Sequence, residues 1–386
     1  KYTWANVEKH VTEAKRRGLS CGVEEIPIEQ NLYTAAGPLK HPICLRVEKG
    51  WDFDRVSRVL LDNGVIANVS TFLKGAQSAV NLDKLKAGSF LIPAKASMDA
   101  IAAIITRSGP SSCGTEIVYR IGVTRTSVHV RELDPKTNRF VKKVEFNTED
   151  ETAPEIYERA KALNHTRFRV LMAEGVTSWR MRQVLMAIDQ LTGDIATVPE
   201  EGTLAPDSYE IRLGETRQAV IERMQAAQDV ILKTAWKNRV KDLPLKSPDE
   251  ALILASIVEK ETGLPTERRQ VASVFINRLN RSIRLQTDPT VIYGITKGEK
   301  TLGRGLRRSE LDRKTPWNTY RINGLPPTPI ANPGRASIEA VLDPDDTNFL
   351  FFVADGTGGH SFAKTLKEHN ANVRKWREIE AGKAQK

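Results

Sequence analysis

The sequence predicts an α+β protein of several domains, and three patterns carry that prediction. A strand–turn–helix grammar occurs twice, once within 43–109 and once within 166–244. A run of period-two strands lies between the copies, and 245–386 is mainly helical and loop-rich. Residues 1–42 form a polar N-terminal segment of unassigned role, and 110–165 form a β-rich insertion. These five segments cover the 386 residues, more than one domain of ordinary size.

Residues 1–42 are irregular apart from a helix expected at 4–17. The first clear strand is 43–47, Ile-Cys-Leu-Arg-Val, followed by a turn at 48–50 and an N-cap at Asp52. Phe53, Val56, Val59 and Leu60 then form a helical stripe. A helix at 71–80, a strand at 89–92 and a helix at 97–106 complete the unit. The second copy runs in parallel: a strand at 168–172, a turn at Glu174-Gly175, an N-cap at Thr177, and a helix carrying Trp179, Met181, Val184 and Leu185. Gly50 precedes Val59, and Gly175 precedes Val184, by the same nine residues. Short strands at 89–92 and 208–211 follow, and eight residues after each opening Ser a helix begins, at Ser97 and Thr216. Such spacing reads as two related units, although common strand–turn–helix grammar can imitate it; two copies do not make a solenoid.

Between them, 116–123, 127–132 and 140–146 alternate apolar and polar residues, with a turn at 134–138, as an antiparallel insertion would. A long helix at about 215–240 leads through a linker at 243–249 to helices at 248–262 and 266–280. Loops fill 294–334, and a strand at 349–354 and a helix at 366–379 close the chain.

Composition bounds the function. Apolar residues at 40% and charged residues at 27% suit a soluble globular protein. No stretch approaches the roughly 18 apolar residues of a membrane span, yet a chain starting at Lys1 is compatible with an N-terminal anchor preceding it. Cys21, Cys44 and Cys113 lack CxxC spacing, so neither a disulfide framework nor a Cys-based zinc site is expected; a Cys21–Cys44 or Cys44–Cys113 bridge stays open. The net charge of +10 favours polyanions: nucleic acid, anionic lipid or a carboxylate-bearing wall polymer. Scattered basic residues and the lack of a nucleic-acid motif argue against the first. His10, His41, His129, His165, His360 and His369 show no metal-ligand spacing, so neither metal nor cofactor is expected.

The segment 255–263, Ala-Ser-Ile-Val-Glu-Lys-Glu-Thr-Gly, carries the chemistry. Glu261 lies at i+7, i+4 and i+3 from Leu254, Ile257 and Val258, on the apolar face near the helix C-terminus. Glu259 points about 200° away. A carboxyl on an apolar face beside the negative helix end should have a raised pKa, as a general acid near neutral pH requires. The plain alternative is a Glu neutralised by an Arg such as Arg268. Downstream, Gln286, Asp288, Tyr293, Asn318, Tyr320 and Asn332 sit in Pro-rich loops with Trp317. Aromatic faces and amides there suit sugar binding, and a rigid structural loop is the competing reading. Asp288 before Pro289 reads as a helix cap. His360 and His369 are open between lining the cleft and a structural place.

The segments 255–262, 271–279, 285–294, 318–320 and 352–356, with Gly358-Gly359-His360-Ser361-Phe362 and His369-Asn370, resemble the YceG-like family of endolytic murein transglycosylases. The resemblance covers most of 43–109 and 166–376. It implies a LysM-like module at 43–109 and a catalytic domain at 245–386. The family's catalytic Glu is followed by Thr, a pattern that lands on Glu261-Thr262. It also implies cleavage of the MurNAc–GlcNAc β-1,4 bond with 1,6-anhydro-MurNAc ends and no cofactor. Peptidoglycan strands, and peptidoglycan synthases such as penicillin-binding proteins, would be the partners. The setting would be a bacterial inner membrane, single-pass, with the catalytic part periplasmic. The chain departs from the family in lacking the usual N-terminal membrane helix, and 1–40 and 114–150 match nothing in it. Two rivals remain: a hydrolytic muramidase with Asp288 as second carboxylate, and a non-catalytic wall-binding scaffold.

Overall fold

A computed structural model describes residues 30–48, 50–79, 85–107, 112–149, 151–163 and 166–384. The helix expected at 4–17, together with His10, Cys21 and His165, lies outside the described residues. The chain divides into two compact units. One comprises the described residues up to Thr115 with 132–141 and 163–166; the other comprises 116–131, 142–162 and the rest from Arg167.

The first unit holds α1 (Gln30–Thr34), β1 (Ile43–Val47), α2 (Phe53–Asp62), α3 (Val69–Ala79), β2 (Gly88–Ile92) and α4 (Met98–Thr106). β1 pairs antiparallel with β2, Leu45 opposite Phe90. Asp52 caps α2 as expected, its Oδ1 accepting from the Arg55 amide at 2.8 Å. Phe53, Val56 and Leu60 of α2 enter a core with Phe72, Phe90, Ile92 and Ile101, so the apolar stripe read at 53–60 is the buried face of the helix. Cys44 and Cys113 form a disulfide, Cα atoms 5.7 Å apart, one of the two pairings left open by the sequence.

β3 (Thr115–Ile121), β4 (Thr126–Asp134) and β5 (Arg139–Asn147) are followed by α5 (Glu155–Ala162), β6 (Arg167–Met172), α6 (Ser178–Ala187), β7 (Ser208–Ile211) and α7 (Arg217–Lys237). One five-stranded sheet, ordered β5-β4-β3-β6-β7, takes in both the insertion and the second strand unit. β3 and β6 run parallel, β6 and β7 antiparallel. The turn between β4 and β5 falls where expected: Asp134 accepts from the Lys136 amide and the Thr137 hydroxyl, and Asn138 takes a positive φ of 52°. Phe168, Val170 and Met172 alternate into the core with Ile117, Ile121 and Met181.

The C-terminal part holds α8 (Pro248–Glu261), α9 (Arg268–Asn280), α10 (Asp288–Thr296), α11 (Arg308–Asp312), α12 (Arg335–Leu342), β8 (Phe351–Ala354), β9 (His360–Ala363) and α13 (Leu366–Ala384). α8 is its axis, packed by α7, α9, α10 and α12. Every residue of Ala251–Val258 is buried, so α8 is apolar all round rather than striped, as a helix enclosed by others must be. The helices α5 and α12 and the strand β9 do not stand out in the sequence, being short and without a clean period.

Candidate active site

α8 starts at Ser247, whose hydroxyl accepts from the Glu250 amide at 3.2 Å, with Pro248 in the first turn. It stops at Thr262, where the backbone turns extended. The Thr262 hydroxyl accepts from the Leu264 amide at 3.0 Å and stabilises that exit. Glu261 is therefore the last helical residue, its carboxyl leaving the buried axis beside the negative helix end.

The Glu261 Oε1 accepts a hydrogen bond from the Thr287 hydroxyl. Burial drives the Glu261 pKa up; the Thr287 bond opposes it, the Asp288 charge adds to it, and His360 and Arg278 oppose it. Thr287 is itself held by a buried threonine cluster. Its amide donates to Thr319 Oγ1 at 3.0 Å, its carbonyl accepts from Thr290 Oγ1 at 2.7 Å, and the Thr290 and Thr319 hydroxyls meet at 2.8 Å. Three threonines thus fix one hydroxyl against the candidate acid.

Two further groups stand near. Arg278 is buried, and its guanidinium donates to the Leu350 carbonyl at 2.6 Å and the Leu285 carbonyl at 2.9 Å. His360 binds Glu267 twice: its backbone amide lies 2.9 Å from Oε1, and its Nδ1 2.9 Å from Oε2. Its ring meets the edge of Phe352 at 5.2 Å. Arg268, offered by the sequence as a neutralising partner for Glu261, has a buried Nε with no hydrogen-bond partner. The bond to the Glu261 carboxyl comes from Thr287 instead.

The structure gathers four of the seven sequence-derived residues. Glu261 reaches Thr287; the adjacent Asp288 accepts from the Tyr320 hydroxyl at 2.8 Å; Gln286 takes a positive φ of 52° and accepts from Arg278 at 3.4 Å. The cap reading of Asp288 is corrected: Thr287 holds the N-cap position, Asp288 is the first helical residue, and its carboxylate serves Tyr320. The other three turn elsewhere. Asn318, fully buried, donates to the Leu311 carbonyl at 3.0 Å and the Arg313 carbonyl at 2.6 Å, and accepts from the Tyr320 amide at 3.0 Å. Asn332, also fully buried, donates to the Val176 carbonyl at 2.9 Å and accepts from the Leu204 amide at 2.9 Å. Tyr293 packs on Trp317 with centroids 5.8 Å apart, and its hydroxyl bonds Glu201. Thr287, Thr290, Thr319, Arg278 and Glu267 are the site groups that sequence reasoning missed; no local signal marks them, because the cluster is completed only across loop closures.

Among the described residues no cluster of three or more His, Cys, Asp or Glu side chains could hold a metal ion. No helix among them is long and apolar enough to cross a membrane.

A model of the YceG-like family matches residues 45–375. An endolytic murein transglycosylase of Bacillus subtilis (strain 168) is 36% identical over 192 residues, 49% of this chain and 52% of that protein. One of Streptococcus pneumoniae serotype 2 is 34% identical over 180 residues, 45% of this chain and 31% of that protein. The chain thus spans about half, or less, of the curated relatives it matches. A crystal structure of a YceG-like protein from Listeria monocytogenes is 24% identical, with a TM-score of 0.44, covering 86% of this chain and 99% of that one.

Proposed function

The chain belongs to the YceG-like family, and on that premise we propose that it is an endolytic peptidoglycan lytic transglycosylase. It cuts the MurNAc–GlcNAc β-1,4 bond inside glycan strands. Glu261 gives its proton to the leaving glycosidic oxygen. The carboxylate then takes the proton of the MurNAc C6 hydroxyl, whose oxygen closes on C1 as the 1,6-anhydro ring. One carboxyl serves both steps because the nucleophile belongs to the substrate, unlike the carboxylate pair of ordinary glycosidases. The observation that carries the reading is the Glu261 carboxyl, its pKa raised by burial and its Oε1 held by the Thr287 hydroxyl.

One feature favours a second reading, a hydrolytic muramidase: the Asp288 carboxylate lies close enough to raise the Glu261 pKa. Mass spectrometry of products from uncrosslinked strands decides. Anhydro ends from internal cuts, lost in Glu261→Gln, support the lytic reading. Reducing MurNAc ends support hydrolysis, and strands left intact by the wild type support a binding scaffold.

The proposal keeps 245–386 as the catalytic domain and 43–109 as a LysM-like module, and treats 43–109 and 166–244 as related units. It places the full protein as a single-pass protein of a bacterial inner membrane, its bulk periplasmic near peptidoglycan synthases. The Cys44–Cys113 disulfide supports an oxidising compartment. Fractionation of cells expressing the full gene tests this, and recovery in the cytosol ends it.

A further inference from the structure

We propose that a cavity beside the last turn of α8, organised around Lys260, binds the terminal carboxylate of the peptide arm that peptidoglycan carries on its muramyl residues. The inference rests on the lytic reading and deepens it to a substrate class, peptide-bearing strands.

The cavity has a volume of about 590 Å³, and Trp179, Lys260, Ile292, Tyr293, Lys300 and Ile330 are among its walls. That size is within the ordinary range of ligand sites. Lys260 is the residue before Glu261, so the ammonium and the candidate acid leave the same helical turn about 100° apart. Pro289, two residues after the Thr287 that meets Glu261, also lines the cavity.

Lys260 has donors to spare. Its Nζ has the Gly175 carbonyl at 3.4 Å as hydrogen-bond acceptor, against the three N–H donors of an ammonium. Its surroundings are dry enough that burial draws its pKa down, with the charges of Glu259 and Glu201 opposing. Both carboxylates are engaged elsewhere. Glu259 accepts from the Gly334 amide at 3.0 Å and Ser337 Oγ at 2.7 Å. Glu201 accepts from the Ser178 amide at 2.8 Å, from Asn332 at 3.2 Å and from Tyr293.

The cavity's guanidinium groups are already matched. Arg180 binds Glu149, the Gly122 carbonyl at 2.7 Å and Thr126 at 3.1 Å. Arg304 is paired with Glu310. Lys300 and Glu299, adjacent in sequence, both line the cavity. Lys260 is thus a cation of the wall with donors to spare, in a cavity that the Trp179 and Tyr293 rings also line. A neutral sugar hydroxyl gains little from such a group. A carboxylate on a partly apolar chain gains a charge-assisted bond and ring contacts together.

Two substrate groups share that chemistry: the terminal carboxylate of the peptide arm and the lactyl carboxylate of a peptide-free muramyl sugar. The cavity's size favours the arm over a lactyl group held close to its ring. Isothermal titration separates them with four probes: a GlcNAc–MurNAc tetrapeptide, its C-terminal amide, peptide-free GlcNAc–MurNAc, and chitotetraose. The tetrapeptide should bind wild type and Glu261→Gln alike, and at least tenfold tighter than its amide. Lys260→Met should remove that preference and Lys260→Arg should keep part of it. The amide comparison needs no variant, so a folding defect in Lys260→Met cannot mask the answer. Equal binding of acid and amide, no binding of the tetrapeptide, or an equally Lys260-dependent binding of the peptide-free disaccharide overturns the proposal. Reducing ends in the product assay would overturn the lytic mechanism and leave these binding results standing.

Discussion

Thr287 donates its hydroxyl to the Glu261 carboxylate across 26 residues of sequence, joining the start of α10 to the end of α8. The bond favours the ionised carboxylate, while burial favours the acid, and burial is the larger effect. The candidate acid therefore has two opposing controls, one of them a single removable hydroxyl.

Thr287→Val removes it. The Glu261 pKa then rises further, and the alkaline limb of kcat/KM moves to higher pH. Loss of a hydrogen bond to a charged group lowers kcat about tenfold to a hundredfold, while Thr287→Ser keeps most activity. An unmoved pH profile in Thr287→Val would show that the contact does not tune the acid.

How much of this was legible in the sequence follows from distance along the chain. The place of Glu261 at the end of an apolar helix depends on residues within seven positions, and the structure keeps it, although α8 is enclosed rather than striped. Thr319 joins Thr287 and Thr290 only after the loops close, and hydroxyls carry no periodicity. Asn318 and Asn332 show the converse difficulty. An amide in a Pro-rich loop reads the same whether it faces a ligand or its own backbone; here both are fully buried and committed to backbone groups. The five-stranded sheet was hidden for a similar reason: alternation identifies strands but not which neighbour each chooses.

Asn332→Ala is predicted to cost stability more than catalysis. It strips the Leu204 amide of its acceptor and the Val176 carbonyl of its side-chain donor, in a fully buried place. The Val176 carbonyl keeps the Asn332 backbone amide, and a buried amide left unpaired costs about 1–3 kcal/mol, so urea unfolding should show a loss of about that size. Turnover per folded molecule should persist. A stable variant with a raised KM would return Asn332 to the binding surface.

Glu201 supplies a pH signature. Burial raises its pKa to about 7, against opposing bonds from Ser178 and Tyr293. An acid whose folded pKa lies above its unfolded value holds more protons when folded, so stability falls as pH rises from about 4.5 to 7 and is flat beyond. A separation of roughly 2.5 units corresponds to about 3 kcal/mol. Glu201→Gln should be more stable than wild type by up to that amount at pH 8 and no more stable at pH 4, read from urea midpoints. A gap independent of pH would mean that Glu201 does not titrate in this way.

Glu259 and Glu261 should respond oppositely to the same change. Glu259 accepts from the Gly334 amide and the Ser337 hydroxyl, at the N-terminus of α12, where a negative charge complements the helix dipole. Glu259→Gln should therefore lose about 1 kcal/mol of stability and keep most activity. Glu261→Gln should lose roughly 10²–10⁴-fold in activity. Its stability should rise at neutral pH, because a buried carboxyl with a raised pKa weakens the fold as pH climbs through that pKa. The gap should close as pH falls below the unfolded value of about 4.3. Thermal melts of both variants across pH, run beside the anhydro-end assay, give four readings. Anhydro ends from Glu261→Gln at near wild-type rate, with Glu259→Gln inactive, would move the acid from Glu261 to Glu259 and recast the Thr287 contact as a structural bond.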